Sequence, residues 1–149
     1  TGATGATGAT GPQGPSGIIT SVYVEGQGTE PATTLGFIGP YATITITSST
    51  QKIFVMATKA LGSTSSGGAT NLNIYIGHRN TAGTTITAVG GGIFGLRTAA
   101  FTRMPMSISN IITGLAPGTY HVGMVGQSSD AVNWNNNEWG CVSVFLLNN

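Results

Sequence analysis

Glycine recurs at every third position from Gly2 through Gly5, Gly8, Gly11 and Gly14 to Gly17, and then the period stops. The triplets are Gly-Ala-Thr three times, followed by Gly-Pro-Gln and Gly-Pro-Ser. Three chains can wind about a common axis only where a residue without a side chain meets that axis in every turn. The spacing therefore predicts a triple-helical segment over residues 1–17, and with it a homotrimer. A second reading stays open, because a short Gly/Ala/Thr repeat is also the composition of a flexible linker. Thr at the third position of three triplets places Thr4, Thr7 and Thr10 as outward hydroxyls and candidate O-glycosylation sites.

Residues 18–149 have the length of one ordinary domain. Charged residues make up 6% of the chain, against about 25% in typical soluble domains. With 40% hydrophobic residues the chain is still too apolar for a disordered tail. Its water-binding groups are mostly the neutral ones of Thr, Ser, Asn and Gly. A formal net charge of +1 from five scattered cations does not make the dense Lys/Arg footprint that phosphate backbones require, so nucleic acid is not an expected partner. No apolar run approaches the roughly 20 residues needed to cross a bilayer as a helix, so membrane insertion is not expected either. The chain opens at Thr1 inside the repeat, without Met or a signal peptide, and reads as a processed chain or a fragment. One cysteine, Cys141, excludes an internal disulfide framework.

After Gly17 the period changes from three to two. Val22 and Val24 alternate with Tyr23 and Glu25. In Tyr41-Ala-Thr-Ile-Thr-Ile-Thr47, Ala42, Ile44 and Ile46 share one face and three threonines the other, the signature of a half-buried strand. Residues 52–57 are nearly all apolar, and Leu72, Ile74 and Ile76 alternate with Asn73 and Tyr75. Further strands are predicted at 84–89, 92–96, 106–112, 120–125 and 139–147. Turn clusters separate them at 48–50, 62–70, 80–84, 116–118 and 128–137. No window has helical spacing. Eight or nine short strands predict an all-β, antiparallel sandwich or barrel. Pro117-Gly118 followed by Tyr120 predicts a tight turn whose tyrosine hydroxyl bonds back to the upstream backbone.

The last strand is apolar on both faces: Trp139, Cys141, Phe145 and Leu147 on one, Val142, Val144 and Leu146 on the other. Such a strand needs cover on both sides. One face can pack into the core and the other can meet a neighbouring subunit; Val142, Val144 and Leu146 are the candidate trimer interface. A wholly internal strand in a thick monomer is the alternative.

The repeat Gly2 to Gly17, the turn Pro117-Gly-Thr-Tyr120 and the closing strand Gly140-Cys-Val-Ser-Val-Phe-Leu-Leu147 together resemble the tumour-necrosis-factor and complement-head superfamily. They resemble in particular the collagen-like surface proteins of bacterial spores and the collagen-stalked fibre tips of phages. The resemblance implies a jelly-roll-like β-sandwich head over 18–149, homotrimeric, on a collagen-like stalk over 1–17. It also implies an extracellular place, on a cell, spore or virion surface. Calcium ligands and receptor residues of such families find no matching acidic motif here.

Catalytic chemistry is poorly supplied. The chain has four carboxylates (Glu25, Glu30, Asp130, Glu138) and two histidines (His78, His121). It has no Gly-x-Ser-x-Gly elbow, no phosphate loop and no His-x-x-x-His pair. Neither an enzyme nor a cofactor or metal is expected. Cys141 reads as a small buried hydrophobe, and Gly90-Gly-Gly92 as a hairpin or a close approach of backbones. The one candidate ligand site is residues 128–139, where Asp130, Asn133, Trp134, Asn135 and Trp139 combine aromatic rings with amides and a carboxylate, the chemistry of glycan binding. The alternative is an Asn-rich turn over two packed tryptophans. Three functions follow: a structural or adhesive trimeric head of a surface fibre, a filament subunit whose N-terminal arm docks into the next head, and a carbohydrate-binding module built on the Trp134/Trp139 loop.

Overall fold

The computed structural model describes residues 1–3 and 17–148. Gly5, Gly8, Gly11, Gly14 and the candidate glycosylation sites Thr4, Thr7 and Thr10 lie outside the described residues. Nine strands follow in order: β1 (Ile18–Gly26), β2 (Gly36–Ile46), β3 (Lys52–Ser63), β4 (Ala69–Asn80), β5 (Thr87–Ala88), β6 (Ile93–Thr98), β7 (Thr102–Ile112), β8 (Gly118–Ser128) and β9 (Gly140–Leu147). A 3-10 turn covers Ala131–Asn133. No helix among the described residues is long and apolar enough to cross a membrane.

The strands form two antiparallel sheets, one with the order β1-β9-β3-β7 and one with the order β2-β8-β4-β5, with β6 also paired to β4. The first strand pairs with the last, the second with the next to last, and β3 with β7. This nesting is compatible with the winding of a jelly roll. The inner faces supply the core: Ile44 and Ile46 from β2, Ile53 and Val55 from β3, Leu72, Ile74 and Ile76 from β4, Val122 and Met124 from β8, and Val142, Val144 and Leu146 from β9. The two-residue alternation read in β2, β4 and β9 is thus the inside/outside alternation of the sheets.

Ladders reach beyond the apolar runs. β3 and β7 stay paired from Ile53↔Ile112 to Ser63↔Thr102, although their far halves carry few buried apolar side chains on the outer face. Backbone hydrogen bonding, rather than burial, sets these lengths. The window 84–89 does the opposite and shrinks to the two pairs of β5 with Gly77 and His78. Gly92 is a true close approach, since a Cβ there would strike the Tyr75 ring. The predicted tyrosine bond is present: Tyr120 Oη donates to the Ala116 carbonyl at 3.0 Å.

The sandwich has two distinct ends. At one, the chain enters beside its own C-terminal strand, with Asn148 N–H donating to the Gly17 carbonyl at 3.0 Å. At the other, residues 27–35 close over the core and are held by Lys59, which is 1% exposed. Its ammonium donates to the carbonyls of Gln27, Thr29 and Ile38. Burial lowers Lys59 from 10.5 to about 8, opposed by the charge of Glu30.

Candidate functional site

Residues 128–139 lie at the end that Lys59 closes. Trp134 is fully buried, and its indole N–H donates to the Thr70 carbonyl at 2.9 Å. The same residue, Thr70, gives its N–H to Asp130 Oδ2 at 2.8 Å, and Ser128 Oγ also donates to its carbonyl. Asp130 Oδ1 accepts from the Asn133 amide at 2.6 Å. These bonds to the charged form hold the Asp130 carboxyl below its ordinary range, the Asn133 amide first and the Thr70 backbone next. Asn133 Oδ1 receives Ser65 Oγ, and Asn135 Oδ1 receives both the N–H and the hydroxyl of Thr64.

The part of the glycan reading that rests on the Trp134 ring is therefore corrected. Trp134 has no ring face to offer a sugar; Asn133 and Asn135 spend their oxygens on Ser65 and Thr64 of the β3–β4 turn, and Asp130 spends its own on Thr70 of β4 and on Asn133. The loop is a lock that seals one end of the core. Trp139, 57% exposed, keeps a free ring surface, and Asn135 is exposed near it in sequence, but the buried Trp134 cannot join them.

The interface reading is corrected in the same way. Val142 and Val144 are 0% and Leu146 3% exposed within one chain, because their side chains point between the sheets. No surface is left on them for a neighbour. The outward side of β9 carries Cys141, Ser143, Phe145 and Leu147, all half-buried. Cys141 accordingly sits on the outer face instead of in the core.

That outer face has a regular composition. One row across the sheet reads Ser21, Phe145, Phe54, Ile111, and the next Tyr23, Ser143, Met56, Ser109. A third reads Glu25, Cys141, Thr58, Ser107, with Thr58 and Ser107 joined by their hydroxyls at 2.6 Å. Glu25 is the one charge in the three rows. Phe54 and Phe145 lie 6.2 Å apart, while Tyr23 (61%), Met56 (48%) and Ile111 (47%) are exposed. Sequence reasoning located this strand as two-sided but assigned the wrong side outward; the half-buried Phe54 and exposed Met56 and Ile111 on β3 and β7 were the missing signal.

His78 and His121 fall on adjacent strands but at neighbouring register positions, His78 opposite Val122 and His121 opposite Arg79, so they take opposite faces. His121 Nδ1 lies 3.1 Å from the Thr43 hydroxyl, and His78 stacks edge-on to Tyr120. Burial lowers both histidines, with Arg79 adding to the effect on His121. Among the described residues no three His, Cys, Asp or Glu side chains gather as a metal site would require. Compared with known proteins, the chain matches no protein-family model and no curated relative.

Proposed function

We propose that this chain is the protomer of a homotrimeric, non-enzymatic display head, joined to a collagen-like segment over residues 1–17 and carried outside a cell, spore or capsid. The observation that carries the reading is the outer face of the β1-β9-β3-β7 sheet. It is centred on Phe54, Phe145, Met56 and Ile111, with Lys52 and Glu25 at its margins. A contiguous apolar patch of this kind on a soluble domain marks an interaction surface. The strict Gly-X-Y register supports two further copies of the same chain as the partner.

The geometry of the ends agrees with this. Gly17 directly precedes β1, a strand of that same sheet, so three heads packed through it would bring three copies of Gly17 to one end of the assembly. The interface is then Tyr23, Phe54, Met56, Ile111 and Phe145, in place of Val142, Val144 and Leu146. The direct test is charge placed on the face. Phe145→Asp should yield folded monomers, whereas Thr45→Asp on the opposite sheet should leave the assembly unchanged. A Phe145→Asp protein that remained trimeric would reject the surface.

A further inference from the structure

A cleft of about 500 Å³ opens on the outer face of the other sheet, at the end away from Gly17. Its floor is the register pair Asn73↔Gln127 of β4 and β8. Thr33 of the β1–β2 connection bounds it on one side and Gly95 of β6 on the other, with Asn71 and Ser129 at the rim. Every lining residue is neutral: hydroxyls, carboxamides and a glycine. Asn73 is fixed, its Oδ1 accepting the Gly95 N–H at 2.9 Å, and the lining Ser128 is fixed by its bond to the Thr70 carbonyl. Asn71, Gln127, Ser129 and Thr33 make no side-chain hydrogen bond to any other described residue. Their donors and acceptors face the cleft unspent, in contrast to those of Asp130, Asn133 and Asn135.

The backbone around the cleft is specialised. Asn71 has φ 57°, in the left-handed region that Asn enters at less cost than other side chains. It falls where the β4–β6 register slips between Ala69 and Leu72. Gly95 has φ 64°, and a Cβ there would meet nothing within 4 Å, so the missing side chain keeps that wall open. Beyond the lining residues, but next to Gly95 in sequence, Phe94 holds a ring that is 65% exposed, set edge-on to Tyr75 at 5.5 Å. Tyr75 follows Asn73 on the same face of β4.

We propose that this cleft binds a neutral pyranoside, with carboxamides and hydroxyls bonding sugar hydroxyls and the Phe94 ring covering the apolar face of the ring or its neighbour. The volume falls within the range of small-molecule sites. A hydroxyl-rich uncharged ligand is what such a lining satisfies without burying an ion, and an ionised ligand would find no counter-charge. The proposal is independent of the trimer, but a trimer packed through the opposite sheet would leave three such clefts outward-facing and gain avidity on a polysaccharide.

The test is amide-resolved NMR on the full chain, titrated with the methyl pyranosides of glucose, galactose, mannose, rhamnose and N-acetylglucosamine, and with methyl glucuronide as the charged comparison. At least one neutral glycoside should shift the Asn71, Asn73, Gly95, Gln127 and Ser129 signals saturably. Phe94→Ala and Gln127→Ala, both at surface positions, should each weaken that binding by about tenfold with the melting temperature kept. Trp139→Ala should leave it unchanged. Absence of shifts with every neutral glycoside, stronger binding of the glucuronide, or shifts confined to the Trp139 region would each overturn the assignment.

Discussion

Lys59 shows how one residue can hold a loop and set a pH dependence. It is one of five cations in the chain, yet it lies between the sheets with three carbonyls around its ammonium. Gly140 stands opposite it in β9, where a Cβ would press on the Lys59 side chain. Replacing Lys59 by Met leaves those carbonyls without a donor, and should cost on the order of 2–3 kcal/mol. The proton linkage has a definite sign. The folded value of about 8 lies below the ordinary 10.5, so between them the unfolded chain binds more protons than the folded one. Stability should therefore rise with pH across that window. Urea midpoints at about pH 7 and about pH 10 should show an upward step in the parent that Lys59→Met lacks; equal slopes in the two proteins would contradict the account. Trp134 is the apolar counterpart at the same end. Trp134→Ala should lower stability by about 3–5 kcal/mol, read by chemical denaturation, and a loss below 1 kcal/mol would mean that the ring is not core.

Among the elements, the loop between β8 and β9 and the sheet face under β9 are where sequence reading divided most clearly. Strand positions were legible because hydrophobic alternation and turn residues are local signals: Ala42, Ile44 and Ile46 declared their face without help from any other segment. The Trp/Asn loop was not legible, since amides and indoles look the same whether they face a sugar or a neighbouring turn. Only the meeting of Asp130 with Thr70, 60 residues away in the chain, decides between them. The same bond predicts acid sensitivity. A carboxyl held below its ordinary range of 3.8 contributes stability that is present above that range and lost as pH falls through the folded value. Near-ultraviolet circular dichroism of Trp134 should report this loss, and Asp130→Asn should weaken the pH response; an unchanged acid transition in that variant would show that the carboxylate does not anchor the loop. In β9 the sequence revealed two apolar faces, but which one turns inward depends on register with β1 and β3, which no local pattern encodes. Val144→Asp is accordingly expected to unfold the head, because it buries an unpaired charge in the core, whereas Phe145→Asp is expected to leave a folded chain.

At the scale of the whole molecule, the two sheets differ: the β1-β9-β3-β7 sheet exposes Tyr23, Met56 and Ile111 on its outer face, and the β2-β8-β4 sheet presents polar and aromatic groups to solvent. The all-β class followed from the frequency of turns, while the pairing of first strand with last is a long-range fact that alternation alone cannot supply. The triplet repeat implies three copies, and the outer sheet face offers the place where three copies would meet. Five triplets with two prolines are too short to hold chains together unaided, so the proposed trimer assigns its association to residues 18–149. The deciding measurement is the solution mass of residues 18–149 by sedimentation equilibrium, for the parent and for Phe145→Asp. The account predicts three times the protomer mass for the parent and a folded monomer for the variant. A parent head that sediments as a monomer would contradict it.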